Sequence, residues 1–294
     1  MEKKTIFKGS AAALVTPFKN GEIDRPALMR LINTQIDYGT NALVVCGTTG
    51  ESATLSYSEH AQCIKFVSEY TDGRVPVIAG TGSCNTENAI RLSRAACNAG
   101  ADALLVVTPY YNKATTRGLV ESFTAIADAS EVPLILYNVP SRTGCDIPMQ
   151  VYRELAGDAR FVGIKEASGS VAKCAHILAE FGDRFDLYSG CDELTVPLMS
   201  IGASGVVSVA ANIVPDRMSE MCNACLRGDF ASAASIQLQL YELIDALFCE
   251  VNPVPVKAAM SILGMCSPEI RLPLTAPEPG SLEKICLALK NLGL

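Results

Sequence analysis

The sequence predicts a closed (β/α)8 TIM barrel, an α/β fold, followed by a C-terminal helical extension. Three observations carry this reading. Short β-branched apolar runs bounded by turn residues recur eight times, each followed by a stretch of helical periodicity. Runs such as ALLVV and PLILY are apolar throughout, as strands buried on both faces of a parallel sheet must be. The alternative, an open doubly wound sheet, should carry GxGxxG after its first strand, and LVTPFKNGE has no such spacing.

Taken in order, the strands fall at Ala11–Pro17, Ala42–Gly47, Pro76–Gly80, Ala103–Pro109, Pro133–Pro140, Phe161–Ala167, Asp186–Gly190 and Gly205–Ala211. The helices between them include Asp24–Tyr38, Ser58–Tyr70, Thr86–Ala99, Thr116–Ala129 and Val171–Phe181. Several open on Asp, Ser or Thr, whose side chains accept from the free N–H groups of a first turn, and close on Gly. After the eighth unit the alternation stops and only helical patterns remain, in SAASIQLQLYELIDALF, PVKAAMSILGM and SLEKICLALKNLGL. The expected division is a catalytic barrel over residues 1–229 and a helical domain over 230–294.

Composition narrows the function classes. With 49% hydrophobic and 19% charged residues among 294, the chain can bury a large core. The 24 basic residues are outnumbered by 31 acidic ones, so the basic footprint of a nucleic-acid binder is missing. MEKKTIFKGS has no apolar segment of a secretory signal, and no apolar run is long enough to span a bilayer, so a soluble cytoplasmic protein with no membrane partner is expected. The 12 cysteines are spread along apolar segments and read as reduced packing residues. Cys222 and Cys225 form the one CxxC, but no second pair follows and neither His60 nor His176 stands at zinc-finger spacing.

In such a barrel the chemistry sits at the C-terminal ends of the strands. The polar residues found there are Thr48, Thr49 and Glu51 after strand two, Tyr110 and Tyr111 after strand four, Tyr137, Asn138 and Arg142 after strand five, Lys165 in strand six, and Ser189-Gly190 after strand seven. Lys165 is the most informative, because an ammonium in an apolar strand must find a partner or lose its charge. Neighbouring Glu166 is a poor partner, since successive strand residues point to opposite faces. A neutral lysine attacks carbonyls and holds the product as an imine, an electron sink for an enamine. Tyr137 ends the adjacent strand, where its phenol could exchange protons with a carbonyl held on that lysine. Thr48 and Thr49, framed by Gly47 and Gly50, offer donors to a carboxylate, and the Arg142 guanidinium offers a bidentate grip on another. Thr48-Thr49 reads equally as a helix cap, Tyr137 as packing, and Arg142 as a solvated surface residue. No HxxE or HExxH pattern and only two histidines are present, so a metal-free mechanism without a cofactor is expected. The loops after strands seven and eight hold acidic residues or little glycine where a phosphate gripper would be expected.

Together, GTTGES at 47–52, AGTG at 79–82, TPYY at 108–111, YNVPSRTG at 137–144, GIKEASG at 163–169, YSG at 188–190 and NPVPVK at 252–257 resemble the class I pyruvate-dependent aldolases and lyases, the family of dihydrodipicolinate synthase and N-acetylneuraminate lyase. The resemblance spans essentially the whole chain. It implies that Lys165 forms the imine with pyruvate and Tyr137 relays protons. Thr48 would link Tyr137 to Tyr111, with Tyr111 crossing into the neighbouring subunit's site. Thr49 would hold the pyruvate carboxylate, with Gly190 and Val207 lining that pocket through backbone groups. Arg142 would bind the carboxylate of the second substrate. The implied reaction is aldol condensation of pyruvate with L-aspartate 4-semialdehyde and cyclisation, in lysine (diaminopimelate) biosynthesis, by a homotetramer built from two tight dimers.

Within the same family, lyases act on sugar acids or a hydroxyproline-derived keto acid; Arg142 and Thr48-Thr49 argue against these. A catalytically idle barrel is disfavoured by the lysine, tyrosines, threonines and arginine standing together. In feedback-inhibited members lysine binds at the tight-dimer interface. Ser52, Ala53, His60 and Tyr110 match that pattern, whereas Tyr57, Cys84 and Asn88 stand where a histidine, an asparagine and a glutamate occur. Weak or absent lysine feedback is therefore expected.

Overall fold

The computed structural model describes residues 3–294. Eight parallel strands close into a barrel: β1 (Gly9–Ala13), β2 (Ala42–Val45), β3 (Val77–Gly80), β4 (Ala103–Val107), β5 (Leu134–Asn138), β6 (Phe161–Glu166), β7 (Asp186–Ser189) and β8 (Gly205–Ser208), with β1 paired to both β2 and β8. The outer helices are α1 (Arg25–Asp37), α2 (Tyr57–Thr71), α3 (Thr86–Asn98), α4 (Thr116–Asp128), α5 (Met149–Leu155), α6 (Val171–Phe181), α7 (Thr195–Ser200) and α8 (Pro215–Leu226). The strands are shorter than the sequence pattern suggests, because the polar residues closing each run leave the ladder and form the loops of the barrel mouth. A two-stranded hairpin, Phe18–Lys19 with Glu22–Ile23, was not legible in the pattern.

Strand periodicity sorts the apolar residues into two layers. Ala11, Ala13, Ala42, Val44, Ile78, Leu105, Ile135, Tyr137 and Val207 point into the barrel, while Ala12, Leu43, Val45, Ala79, Leu104, Leu136, Ile164 and Val206 pack under the helices. The floor of the barrel is closed by Phe7 and Tyr188, whose rings stack at 4.2 Å while the Tyr188 hydroxyl donates to the Phe7 carbonyl at 2.9 Å. Asp24 caps α1 as the sequence suggests, while the other caps stand one or two residues ahead of the starts read from the pattern: Ser56 and Glu59 form a reciprocal capping box on α2, and Asn85, Thr115 and Ser170 cap α3, α4 and α6.

Beyond the barrel lie α9 (Phe230–Gln239), α10 (Tyr241–Leu247), α11 (Val254–Ile262) and α12 (Pro279–Asn291). Their apolar faces share the outer core, with Ile236, Leu243, Leu247, Val256, Met260 and Ile285 buried. Cys222 and Cys225 are both buried on α8, packing as expected for a helix face. Among the described residues no helix is long and apolar enough to cross a membrane.

Candidate active site

The C-terminal mouth of the barrel opens onto a cavity of about 350 Å3. Lys165 enters it from β6, opposite Tyr137 of β5 on one side and Tyr188 of β7 on the other. Because Ile164 faces the helices, Lys165 faces the barrel interior, where it is only 7% exposed. Its Nζ stands 4.3 Å from the centre of the Tyr137 ring. Among the described residues Lys165 takes part in no ion pair.

Glu166 points the other way, as strand alternation requires. Its carboxylate accepts from Asn138 Nδ2 at 2.9 Å and from the Ser168 main chain at 2.8 Å. Asn138 in turn accepts from the Ile147 N–H at 2.9 Å. This buried clamp on the outer face holds the ends of β5 and β6 in register, and so holds Tyr137 against Lys165.

On the β2 side the cavity is lined by Thr48 and Thr49, and from the loop after β5 by Arg142. Thr49 is buried and its Oγ1 accepts from Asn252 Nδ2 at 3.0 Å, while Arg142 Nη2 donates to the Asn252 carbonyl at 3.2 Å. A single residue of the helical extension therefore orients both candidate carboxylate binders. Gly190 lines the wall beside Lys165. Next to it, Asp192 is fully buried and accepts from the N–H groups of Val209 and Ala210 at 2.9 and 3.2 Å, tying the loops after β7 and β8 together. Burial pushes the Asp192 carboxyl up, against the pull of those hydrogen bonds.

Six of the predicted residues thus meet around one cavity: Thr48, Thr49, Tyr137, Arg142, Lys165 and Gly190. Two stand apart. Val207 is buried in the barrel interior, and the chain meets the cavity at Val209, just beyond the end of β8. Tyr111 is 93% exposed, outside the cavity of its own chain, with its backbone at a φ of 74°.

The structure also adds lining residues that strand-end reasoning missed. Tyr241, Ile244 and Asp245 of α10, with Phe248 just beyond it, cover one side of the mouth, and Asn252 follows. They lie in the helical tail, where no strand-end signal exists; NPVPVK was the one clue. Cys191 is the other addition. Burial and the nearby Glu193 and Asp192 carboxylates push its thiol up to about 12, against the opposing pull of Lys165. It is therefore a protonated, weakly nucleophilic thiol at neutral pH. Among the described residues no three His, Cys, Asp or Glu side chains are grouped as a metal site would need.

A parallel barrel whose mouth sets an ion-pair-free lysine against a buried tyrosine, with two threonines and an arginine around them, defines a class I lyase of the kind that works through an imine on lysine. The chain belongs to the dihydrodipicolinate synthetase family, whose model matches residues 6–292. It is 49% identical to the 4-hydroxy-tetrahydrodipicolinate synthase of Geobacter sulfurreducens over 286 residues, 97% of this chain and 99% of the relative. Its fold superposes on the dihydrodipicolinate synthase of Aquifex aeolicus with a TM-score of 0.96 at 45% identity, covering 98% of this chain and 99% of that one. The chloride-inhibited Acinetobacter baumannii enzyme, solved as a complex with pyruvate, gives a TM-score of 0.96, again at 45% identity and with 98% and 99% of the two chains covered.

Proposed function

We propose that this chain catalyses the 4-hydroxy-tetrahydrodipicolinate synthase reaction of lysine biosynthesis, condensing pyruvate with L-aspartate 4-semialdehyde through an imine on Lys165. The observation that carries the reading is the placement of Lys165, inside the barrel mouth, free of any carboxylate and 4.3 Å from the ring of Tyr137.

The unprotonated Lys165 amine adds to C2 of pyruvate, and water leaves to give the iminium. The cationic nitrogen draws electrons from C3, a C3 proton departs, and the enamine that results attacks the aldehyde carbon of the second substrate. The new alkoxide takes a proton, and the amino group of the adduct then closes on the imine carbon and expels Lys165. Tyr137 supplies and removes protons along this course, since it lines the cavity beside the lysine whereas the Tyr188 hydroxyl is given to the Phe7 carbonyl. Thr49, fixed by Asn252, holds the pyruvate carboxylate, together with backbone groups around Gly190. Arg142 grips the carboxylate of the incoming aldehyde, which places its carbonyl toward the enamine.

Thr48 joins Tyr137 to Tyr111 in a hydroxyl relay, with Tyr111 of one subunit completing the site of the next in a tetramer of two tight dimers. The near-complete exposure of Tyr111 in the isolated chain supports that role, since a lone subunit leaves a large aromatic side chain in solvent. In this reading residues 1–229 are the catalytic barrel and 230–294 a helical domain that covers one side of the mouth. No metal or cofactor takes part. The spread of the 12 cysteines along apolar segments, as small packing residues, fits work in a reducing compartment, the cytoplasm.

The test is borohydride reduction in the presence of pyruvate, read by peptide mass spectrometry. A reduced pyruvate adduct on Lys165, absent from Lys165→Ala, is expected. A folded wild-type protein that gives no adduct overturns the mechanism. Turnover with L-aspartate 4-semialdehyde but not with sugar-acid aldehydes then assigns the acceptor.

A further inference from the structure

Glu51 directly follows Thr48, Thr49 and Gly50, yet it does not line the cavity that holds Lys165. Its backbone lies at a φ of 54°, in the left-handed region that non-glycine residues avoid. The side chain explains how it stays there. Glu51 Oε1 accepts from Lys257 Nζ at 2.5 Å, with the two side chains 0% and 1% exposed, and Oε2 accepts from the Arg271 main chain at 3.2 Å. Lys257 also donates to the Thr16 carbonyl at 3.0 Å and sits 4.3 Å from the centre of the Phe18 ring. The Arg271 guanidinium lies 4.2 Å from the centre of that ring. One buried carboxylate thus joins the loop after β2, the segment after β1, helix α11 and the stretch that follows it.

The loop is held at three further points. Thr16 Oγ1 donates to the Gly50 carbonyl at 2.7 Å, the N–H of Ser52 reaches the Gly47 carbonyl at 3.4 Å, and Thr49 is bonded to Asn252. Asn252 and Lys257 belong to one short segment, so both halves of the Thr48–Glu51 stretch are referenced to the same piece of the helical extension. The cost of burying two charges largely offsets their mutual attraction, so stability alone is a weak reason for an ion pair at this place. What an ion pair adds is direction: the carboxylate can sit in only one orientation relative to Lys257, Thr16 and the Arg271 N–H.

We infer that Glu51 and Lys257 are positioning residues for the condensation, a buried ion pair that sets the Thr48 and Thr49 hydroxyls against the segment carrying Asn252. The inference rests on the reading of Thr48 and Thr49 given above. Neither Glu51 nor Lys257 touches the reacting atoms; each acts through the loop, and a displacement of that loop by about 1 Å would lower turnover by up to a hundredfold.

The test compares the wild type with the double variant Glu51→Gln/Lys257→Met, which removes both charges and leaves neither uncompensated. Thermal melting, borohydride trapping of pyruvate, and separate KM and kcat values for the two substrates are measured on the assembled enzyme. Glu51→Asp is run in parallel: it keeps the charge but shortens the reach by one methylene, so the loop must shift. The expected result for both is a cooperative melt, an adduct still formed on Lys165, a pyruvate KM raised roughly tenfold and a kcat lowered roughly tenfold. Folded variants with wild-type KM and kcat overturn the inference and leave the pair a purely structural contact. An absent adduct in the wild type instead counts against the function itself, so the two failures are distinguishable.

Discussion

Gly190 leaves the space that Lys165 occupies. A methyl group at residue 190 would lie 3.1 Å from Lys165 Cε and 2.6 Å from Ala167 Cβ. The second distance is shorter than carbon atoms tolerate, so the wall between β6 and β7 must move and carry the lysine stem with it. Gly190→Ala is expected to fold, at a cost of about 1–3 kcal/mol for overpacking. Its kcat should fall roughly ten- to a hundredfold, because the amine no longer points at the pyruvate carbonyl. Steady-state kinetics beside a thermal melt check this; a variant as active as wild type would show that the wall yields without moving Lys165.

On the proposed roles, Arg142 should separate the two half-reactions. It lines the cavity but bonds only to the Asn252 carbonyl, so most of its guanidinium donors are free for a ligand. Arg142→Ala is therefore expected to trap pyruvate on Lys165 as wild type does, while KM for the semialdehyde rises roughly ten- to a hundredfold, the worth of a charge-assisted pair. Arg142→Lys should recover little, since a point charge cannot replace the planar fork. Loss of imine trapping in Arg142→Ala would place the arginine on pyruvate instead.

A second cavity, of about 540 Å3, adjoins the first through Thr48, Arg142 and Asn252 and is lined by Ser52, Ala53, Tyr57, His60, Asn88, Arg91 and Tyr110. Its polar groups suit an ammonium poorly. The Arg91 guanidinium lies 4.2 Å from the centre of the Tyr57 ring, burial holds His60 below the usual histidine range, and the Glu51 carboxylate is taken by Lys257. Free lysine is expected to leave the initial rate unchanged up to millimolar concentrations. Asn88→Glu, which adds a carboxylate at the rim, should introduce inhibition. Wild-type inhibition at micromolar lysine would contradict this account of the cavity.

The barrel and most of its mouth were legible because both follow from strand periodicity. Once eight apolar runs are placed, parity alone puts Lys165 and Tyr137 inside and Ile164 and Glu166 outside. Contacts made over long sequence separations were not legible. Nothing local to Asn252 announces that it reaches back to Thr49, and nothing local to Lys257 announces Glu51, because each pairing depends on how the helical extension docks on the closed barrel. The Phe18–Lys19 hairpin was hidden for a different reason: two residues per strand are too few to show an alternation. Val207 illustrates the limit of placing a residue by strand end alone: parity puts it inside the barrel, but the cavity is met two residues further on, at Val209, beyond the end of β8.

The ion pair between Glu59 and Arg271 makes acid sensitivity a further readout of how the extension is docked. Arg271 donates to Glu59 Oε1 at 2.5 Å and Oε2 at 3.1 Å, and this bidentate contact, with the capping hydrogen bonds from Ser56, lowers the Glu59 carboxyl from about 4.5 to about 2. Between those two values the unfolded chain binds a proton that the folded chain does not. The contribution is therefore fully present above about 4.5 and is lost as the pH falls toward 2. Glu59 keeps 32% of its side chain in contact with solvent, so screening makes the effect modest and added salt should reduce it. Glu59→Gln isolates the charge, because glutamine can still close the capping box with Ser56. Melting temperatures measured from pH 6 to pH 2 are expected to fall less steeply for Glu59→Gln than for wild type, with the two curves converging at the acid end. Parallel curves would mean that the guanidinium contributes no pH-dependent stability, and that Arg271 holds the extension through its main-chain bond to Glu51 and its packing on Phe18.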